Sequence, residues 1–143
     1  MLKGIPPVIS PELLKILCEM GHGDELVIAD GNFPGAFCAR NSILLRADGH
    51  GVPELLDAVL KLLPLDEYAP PLALMAKAER DHELQIPIWD EFRVIADKYT
   101  AAPFEYVERF AFYERAKKAY AILMSGESAI YANIIVKKGV VKV

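Results

Sequence analysis

Hydrophobic residues along this chain alternate between two spacings, and each change of spacing marks an element. Leu13, Leu14, Leu17, Cys18 and Met20 recur every three or four positions, opposite Glu12, Lys15 and Glu19, which predicts an amphipathic helix. Ser10 and Pro11 supply its N-cap and first turn, and Gly21 suits a left-handed stop. Cys18 falls among the inward positions and reads as a small core residue. The same spacing predicts a helix over 53–63, ended by Pro64, and further helices over 88–99 and 109–118.

Unbroken apolar runs read instead as strands covered on both faces. They fall at 26–29, 72–76 and 120–124, and 42–46, 104–107, 132–136 and 140–143 add further strand signals. Asp30-Gly31-Asn32, with Pro34 and Gly35 behind it, is turn chemistry. The dense charges of 77–83 read as a solvated loop without a binding role. No repeat or linker interrupts the series. Helices alternating with buried strands predict an α/β class: a single domain over 1–143, its mixed β-sheet flanked by helices on both faces.

Composition narrows the function classes. The 143 residues suit one domain of ordinary size and carry 53% hydrophobic side chains, enough for a core without covalent staples. Sixteen Lys and Arg against twenty Asp and Glu leave a net charge of −4, with no basic run to neutralise phosphates, so nucleic acid is not an expected partner. Cys18 and Cys38 form no ligand pair or disulfide framework, no leader segment is recognisable, and no apolar run approaches the ~20 residues of a membrane helix. A reducing cytoplasm is the expected compartment.

Candidate chemistry gathers at a few positions. In Gly21-His22-Gly23 the flanking glycines leave the imidazole uncrowded, and an unperturbed histidine gives and takes protons near neutrality. A plain helix stop explains the same tripeptide. Asp30 closes a hydrophobic strand, where it binds hydroxyls, holds an imidazole or caps the turn. His50 and His82 read as solvated. Arg109 opposes the dipole at a helix start, which suggests placement for function, with an ion pair to Glu105 or Glu108 as the rival. Tyr131 and Asn133 lie two apart, on one face if extended, and together offer sugar hydroxyls an amide, a ring surface and a donor. Phosphate loops, nucleophile elbows and metal-ligand spacings are absent from the sequence. What remains is proton transfer and hydroxyl recognition.

Several blocks resemble the L-fucose mutarotase family. They are Met20-Gly21-His22-Gly23-Asp24-Glu25, Asp30-Gly31-Asn32-Phe33-Pro34, Arg46-Ala47-Asp48-Gly49, Tyr68-Ala69-Pro70-Pro71-Leu72, Arg109-Phe110-Ala111-Phe112-Tyr113-Glu114-Arg115-Ala116 and Tyr131-x-Asn133. The match is collinear over nearly the whole chain. The resemblance implies an isomerase that interconverts the α and β pyranose anomers of L-fucose with neither cofactor nor metal. It implies His22 as the catalytic residue, and Asp30, Arg109 and the segment Tyr131, Ala132, Asn133 as the sugar-binding positions. It also implies a ring-shaped homo-oligomer, typically a decamer, with sites near subunit contacts. Arg109 stands where the related D-ribose pyranases are expected to carry histidine, which favours fucose over ribose. A pyranase or broader mutarotase, and a sugar-binding or regulatory protein without turnover, are the alternative readings.

Overall fold

A computed structural model describes residues 1–143. Six strands form one sheet: β1 (Glu25–Ala29), β2 (Ile43–Ala47), β3 (Leu72–Met75), β4 (Glu105–Val107), β5 (Ala121–Ser125) and β6 (Ile134–Lys137). Their order is β2-β5-β1-β6-β3-β4. The β2–β5, β1–β5 and β3–β4 pairs are parallel, while β6 runs antiparallel to both β1 and β3. One reversed strand in an otherwise parallel sheet makes it mixed.

Helices cover both faces. Alternate residues of the central strands point to opposite sides, so each strand feeds two cores. Leu26, Ile28, Leu72, Leu74, Leu123, Ile134 and Val136 pack beneath α1 (Pro11–Glu19), α3 (Val52–Leu62) and α4 (Pro87–Ala96). Val27, Ala29, Ala73, Met75, Ile122, Met124 and Ile135 pack beneath α2 (Gly35–Cys38) and α5 (Arg109–Lys117). This double burial explains the continuous apolar runs. Ser10 caps α1 through its side chain, 3.1 Å from the Leu13 amide, and Pro11 opens the helix, as the sequence predicts. Arg115 ties α5 to the sheet by forking between Glu25, with Nη2–Oε2 at 2.5 Å, and Glu105.

Four local expectations need correction. Cys18 is exposed, because α1 turns Leu13, Ile16 and Leu17 inward and the arc they cover leaves Cys18 outside. The left-handed residue after α1 is Gly23, with φ 88°, while Gly21 keeps ordinary backbone and donates its amide to Asp24. Residues 140–143 form no strand; beyond Lys137 the sheet offers them no partner, and Val140, Val141 and Val143 are exposed. The turn chemistry at 34–35 starts the short helix α2, which presses Cys38 into the second core.

Phe112 is wholly buried between α5 and the sheet and meets Phe33 edge-on at 5.9 Å. Replacing it with alanine removes a large aromatic volume from a wholly buried place in the second core. Phe112→Ala is expected to destabilise the protein by ~3–5 kcal/mol, read from urea unfolding at constant slope.

Candidate functional site

Polar residues begin where the parallel strands end. Asp30 follows β1, the 76–83 segment follows β3, and Arg109 follows β4. Because β6 runs the other way, the residues that precede it, Tyr131, Ala132 and Asn133, reach the same edge. Asp30, Arg109, Tyr131 and Asn133 line one cavity of about 400 Å³, joined by Phe33, Met75, Arg80, Asp81 and Tyr113. The carboxyl edge of an open α/β sheet is where ligands collect, and four of the five sugar-binding positions expected from the sequence open onto it.

Asp30 and Asn133 hold each other in a two-way clamp. The Asp30 amide donates to Asn133 Oδ1 at 2.8 Å, and Asn133 Nδ2 donates back to Asp30 Oδ2 at 3.1 Å. Asp30 Oδ1 also accepts from the Asn32 amide at 3.0 Å, so the turn and the site share one carboxylate. Burial pushes the Asp30 carboxyl above its ordinary value, opposed by hydrogen bonds from Asn32, Ala132, Asn133 and Phe33.

Arg109 forms no ion pair. Glu108 caps α5 through the Ala111 amide at 2.9 Å, and Glu105 is engaged by Arg115, so both proposed partners are occupied. Instead Arg109 Nε donates to the Tyr113 hydroxyl one turn along, at 3.0 Å. The guanidinium also lies 5.3 Å from the Phe110 ring centroid and 5.5 Å from that of Tyr113. Its two terminal nitrogens make no hydrogen bond within the chain, and the residue lines the cavity.

Tyr131 differs from expectation. It is the one non-glycine residue with positive φ, 55°, so strand alternation does not explain why it and Asn133 share a cavity. Trp89 Nε1 donates to its carbonyl at 2.8 Å and offsets part of the strain. Its hydroxyl donates to Asp81 Oδ2 at 2.6 Å and accepts from the Ala78 amide at 3.0 Å. The 77–83 segment is therefore not a detached solvated loop: a turn of 3₁₀ helix, Glu79–Asp81, packs against Tyr131 and walls the cavity. Ala132 is wholly buried, with its methyl in the first core, so only its backbone faces Asp30.

His22 lies at the other edge. It precedes β1, whereas Asp30 follows it, with five strand residues between, or about 16 Å of extended chain. The two do not touch. Its Nε2 is instead 3.0 Å from Oδ1 of Asp66, a carboxylate that sequence reasoning missed. Asp66 is buried, accepts also from the Tyr68 amide at 3.1 Å, and stands 44 positions from His22. The His22 side chain is 46% exposed and lies beside the Tyr68 ring, 5.5 Å between centroids. An ionised carboxylate only accepts, so Nε2 carries a proton and neutral His22 presents Nδ1 as a free base. The His22 hydrogen bond, followed by the Tyr68 amide, holds the Asp66 carboxyl below its ordinary value. No group of three His, Cys, Asp or Glu side chains is gathered to hold a metal ion, and no helix is long and apolar enough to cross a membrane.

A mixed sheet covered on both faces, with a polar cavity at its carboxyl edge and a histidine–aspartate pair at the opposite edge, defines the structural class. Residues 3–141 match the RbsD / FucU transport protein family, and the chain belongs to that family. A fucose mutarotase of Danio rerio is 50% identical over 145 residues, 99% of this chain and 95% of that one. The crystal structure of FucU from Bifidobacterium longum aligns with a TM-score of 0.94 at 53% identity, covering 98% of this chain and 100% of that one. The fucose mutarotase from Streptococcus pneumoniae, solved in complex with L-fucose, aligns with a TM-score of 0.92 at 49% identity, covering 99% and 100%.

Removing Asn133 leaves the Asp30 amide unpartnered in a buried place. Asn133→Ala is expected to cost ~1–3 kcal/mol of stability, measured by thermal or urea unfolding. Asp66 generates a pH effect of defined sign. A lowered folded pKa favours the ionised form, so its stabilisation is full above the unfolded value near ~3.9 and is lost as pH falls through the folded value. Asp66→Asn is expected to weaken the protein near neutrality and to flatten its loss of stability in acid. Unfolding midpoints from about pH 3 to about pH 7 check both effects.

Proposed function

We propose that this protein is an L-fucose mutarotase, a cofactor-independent isomerase that exchanges the α and β pyranose anomers. The observation that carries this reading is the cavity formed by Asp30, Arg109, Tyr131 and Asn133 at the strand ends. It is supported by 49% identity over 99% of the chain to a fucose mutarotase solved with L-fucose.

Mutarotation needs one proton taken from the anomeric hydroxyl and one given to the ring oxygen. The ring opens to an aldehyde, the C1–C2 bond rotates, and closure on the other carbonyl face gives the second anomer. Both oxygens are bonded to C1, so one imidazole serves both transfers in turn. His22 takes that role: Asp66 fixes its Nε2–H, and Nδ1 accepts the proton and then returns it. Asp30 accepts from a sugar hydroxyl, and the Asn133 amide keeps that carboxylate aimed. Arg109 directs its free nitrogens at the oxygen where negative charge gathers during opening. Ala132 contributes through its backbone.

These roles need His22 beside a cavity at the opposite sheet edge, which one subunit does not provide. We therefore take the working site to form between subunits of a ring-shaped homo-oligomer, a decamer by family resemblance. The His22 edge of one copy meets the carboxyl edge of the next. Exposed aromatic and apolar side chains at both edges support that contact: Tyr68 beside His22, and Phe110 and Ile130 around the cavity. Two free cysteines, one of them exposed, fit a reducing cytoplasm.

The test is saturation transfer by NMR between the α and β anomeric protons of L-fucose and of D-ribose. Fast exchange on fucose and slow exchange on ribose is the expected result; exchange on ribose alone would move the protein to the pyranases. His22→Ala is expected to slow catalysed exchange ~100- to 10,000-fold with sugar binding retained. Mixed oligomers of His22→Ala and Arg109→Ala subunits, each inactive alone, should regain about a quarter of wild-type activity if neighbours share a site. No recovery on mixing would mean that both groups come from one chain.

A further inference from the structure

Tyr131 is held at more points than a flexible ligand contact requires. A phenol has one donor and two acceptor lone pairs. Asp81 Oδ2, at 2.6 Å, takes the donor, and the Ala78 amide, at 3.0 Å, takes one lone pair. The short oxygen–oxygen separation is that of a charge-assisted bond. At the other end, Trp89 fixes the Tyr131 carbonyl and meets its ring edge-on, with centroids 6.4 Å apart. Backbone and ring tip are both anchored.

The segment bearing Asp81 is anchored as well. The Asp81 amide donates to the Ala78 carbonyl at 2.9 Å, and the Leu84 amide donates to the Asp81 carbonyl at 2.9 Å. Lys77 Nζ donates to the His82 and Leu84 carbonyls, both at 3.0 Å, and closes the segment into a loop. The one other charged group recorded against the Asp81 carboxylate is Arg80, whose Nε stands 3.7 Å from Oδ1.

We infer that Asp81 is a positioning residue that fixes Tyr131 as a ring platform for the sugar, not as a hydroxyl donor to it; this rests on the sugar-site reading above. With its proton committed to Asp81, the phenol offers the cavity a flat ring and at most one acceptor lone pair. Selectivity at this wall therefore comes from the shape of the sugar's apolar face. Pre-anchoring also lowers the ordering cost of binding, so the effect falls on affinity more than on the proton-transfer step.

The experiment compares anomer exchange against L-fucose concentration for wild type, Asp81→Ala, Tyr131→Phe, the double variant and Asp81→Asn. Asp81→Ala is expected to raise KM about tenfold, the scale of one hydrogen bond to a charged acceptor, with kcat within about twofold. Tyr131→Phe should match it, and the double variant should add nothing, because both changes break one contact. Asp81→Asn keeps an acceptor oxygen and should restore most of the affinity. Additive effects would mean that Asp81 touches the sugar itself, and an unchanged KM would mean that the anchor is idle; either result overturns the proposal.

A second measurement is independent of activity. The Asp81 hydrogen bond, with burial and the Asp81 charge behind it, holds the Tyr131 phenol above its ordinary pKa, and the Ala78 amide and the Arg80 guanidinium oppose them. In NMR of ring-labelled tyrosine, assigned with Tyr131→Phe, that titration should move down in Asp81→Ala. Identical titration in both proteins would overturn the anchor. A wild type silent on L-fucose would instead overturn the mutarotase reading and the sugar role, whatever the phenol does.

Discussion

The antiparallel seating of β6 between β1 and β3 is the constraint on which both the fold and the candidate site depend. Ile28 pairs with Ile134 and Leu74 pairs with the same residue from the other side, so the start of β6 lies level with the ends of its neighbours. A parallel β6 would carry the 131–133 segment to the opposite edge and leave Asp30 without its clamp. Reversal of one strand thus brings residues about a hundred positions apart into hydrogen-bond contact.

Three of the four buried polar residues, Asp30, Ser125 and Asn133, lie at that junction, and Asp66 lies at the opposite edge. Only Asp30, Asp66, Ser125 and Asn133 are both polar and buried, and each has a partner. Ser125 donates to the Ala29 carbonyl at 2.6 Å and accepts from the Glu127 amide, which secures the end of β5 against the end of β1. An unpaired group in these places would cost as much as several ordinary contacts contribute, so the network orients the site as well as tolerating burial. The apolar layers above and below give it a rigid base. Tyr131 adds the one strained non-glycine residue, in the wall of the same cavity.

Much of the architecture was legible from hydrophobic spacing. Double-sided burial produces unbroken runs such as Leu26 to Ala29, and one-sided burial produces the three-and-four spacing of α1 and α3. The errors occurred where local pattern and tertiary cover disagree. Cys18 fits the helical stripe yet sits outside the arc that the sheet covers, and the terminal valines have strand character but no strand beside them. Charge density made 77–83 look solvated, although Asp81 turns its carboxylate to a phenol fifty positions away.

Residue types were readable one by one: a histidine between glycines, an acid at a strand end, an arginine misplaced against a helix dipole, an amide near a phenol. Their collinear pattern also announced the family to which the chain belongs. Asp66 carried no comparable signal, since nothing in Leu65-Asp66-Glu67 marks a carboxylate that will meet an imidazole 44 residues earlier. Sequence by itself determined the α/β class, the six strands and four of the five helices, though not α2 or the absence of a strand at 140–143, and the chemical types available, because burial periodicity and side-chain chemistry are local properties. Only the tertiary structure decided that Asp30 clamps Asn133, that Asp66 holds His22, and that His22 and the Asp30 cavity occupy opposite edges. Those facts depend on strand order and direction, and long-range pairing sets both.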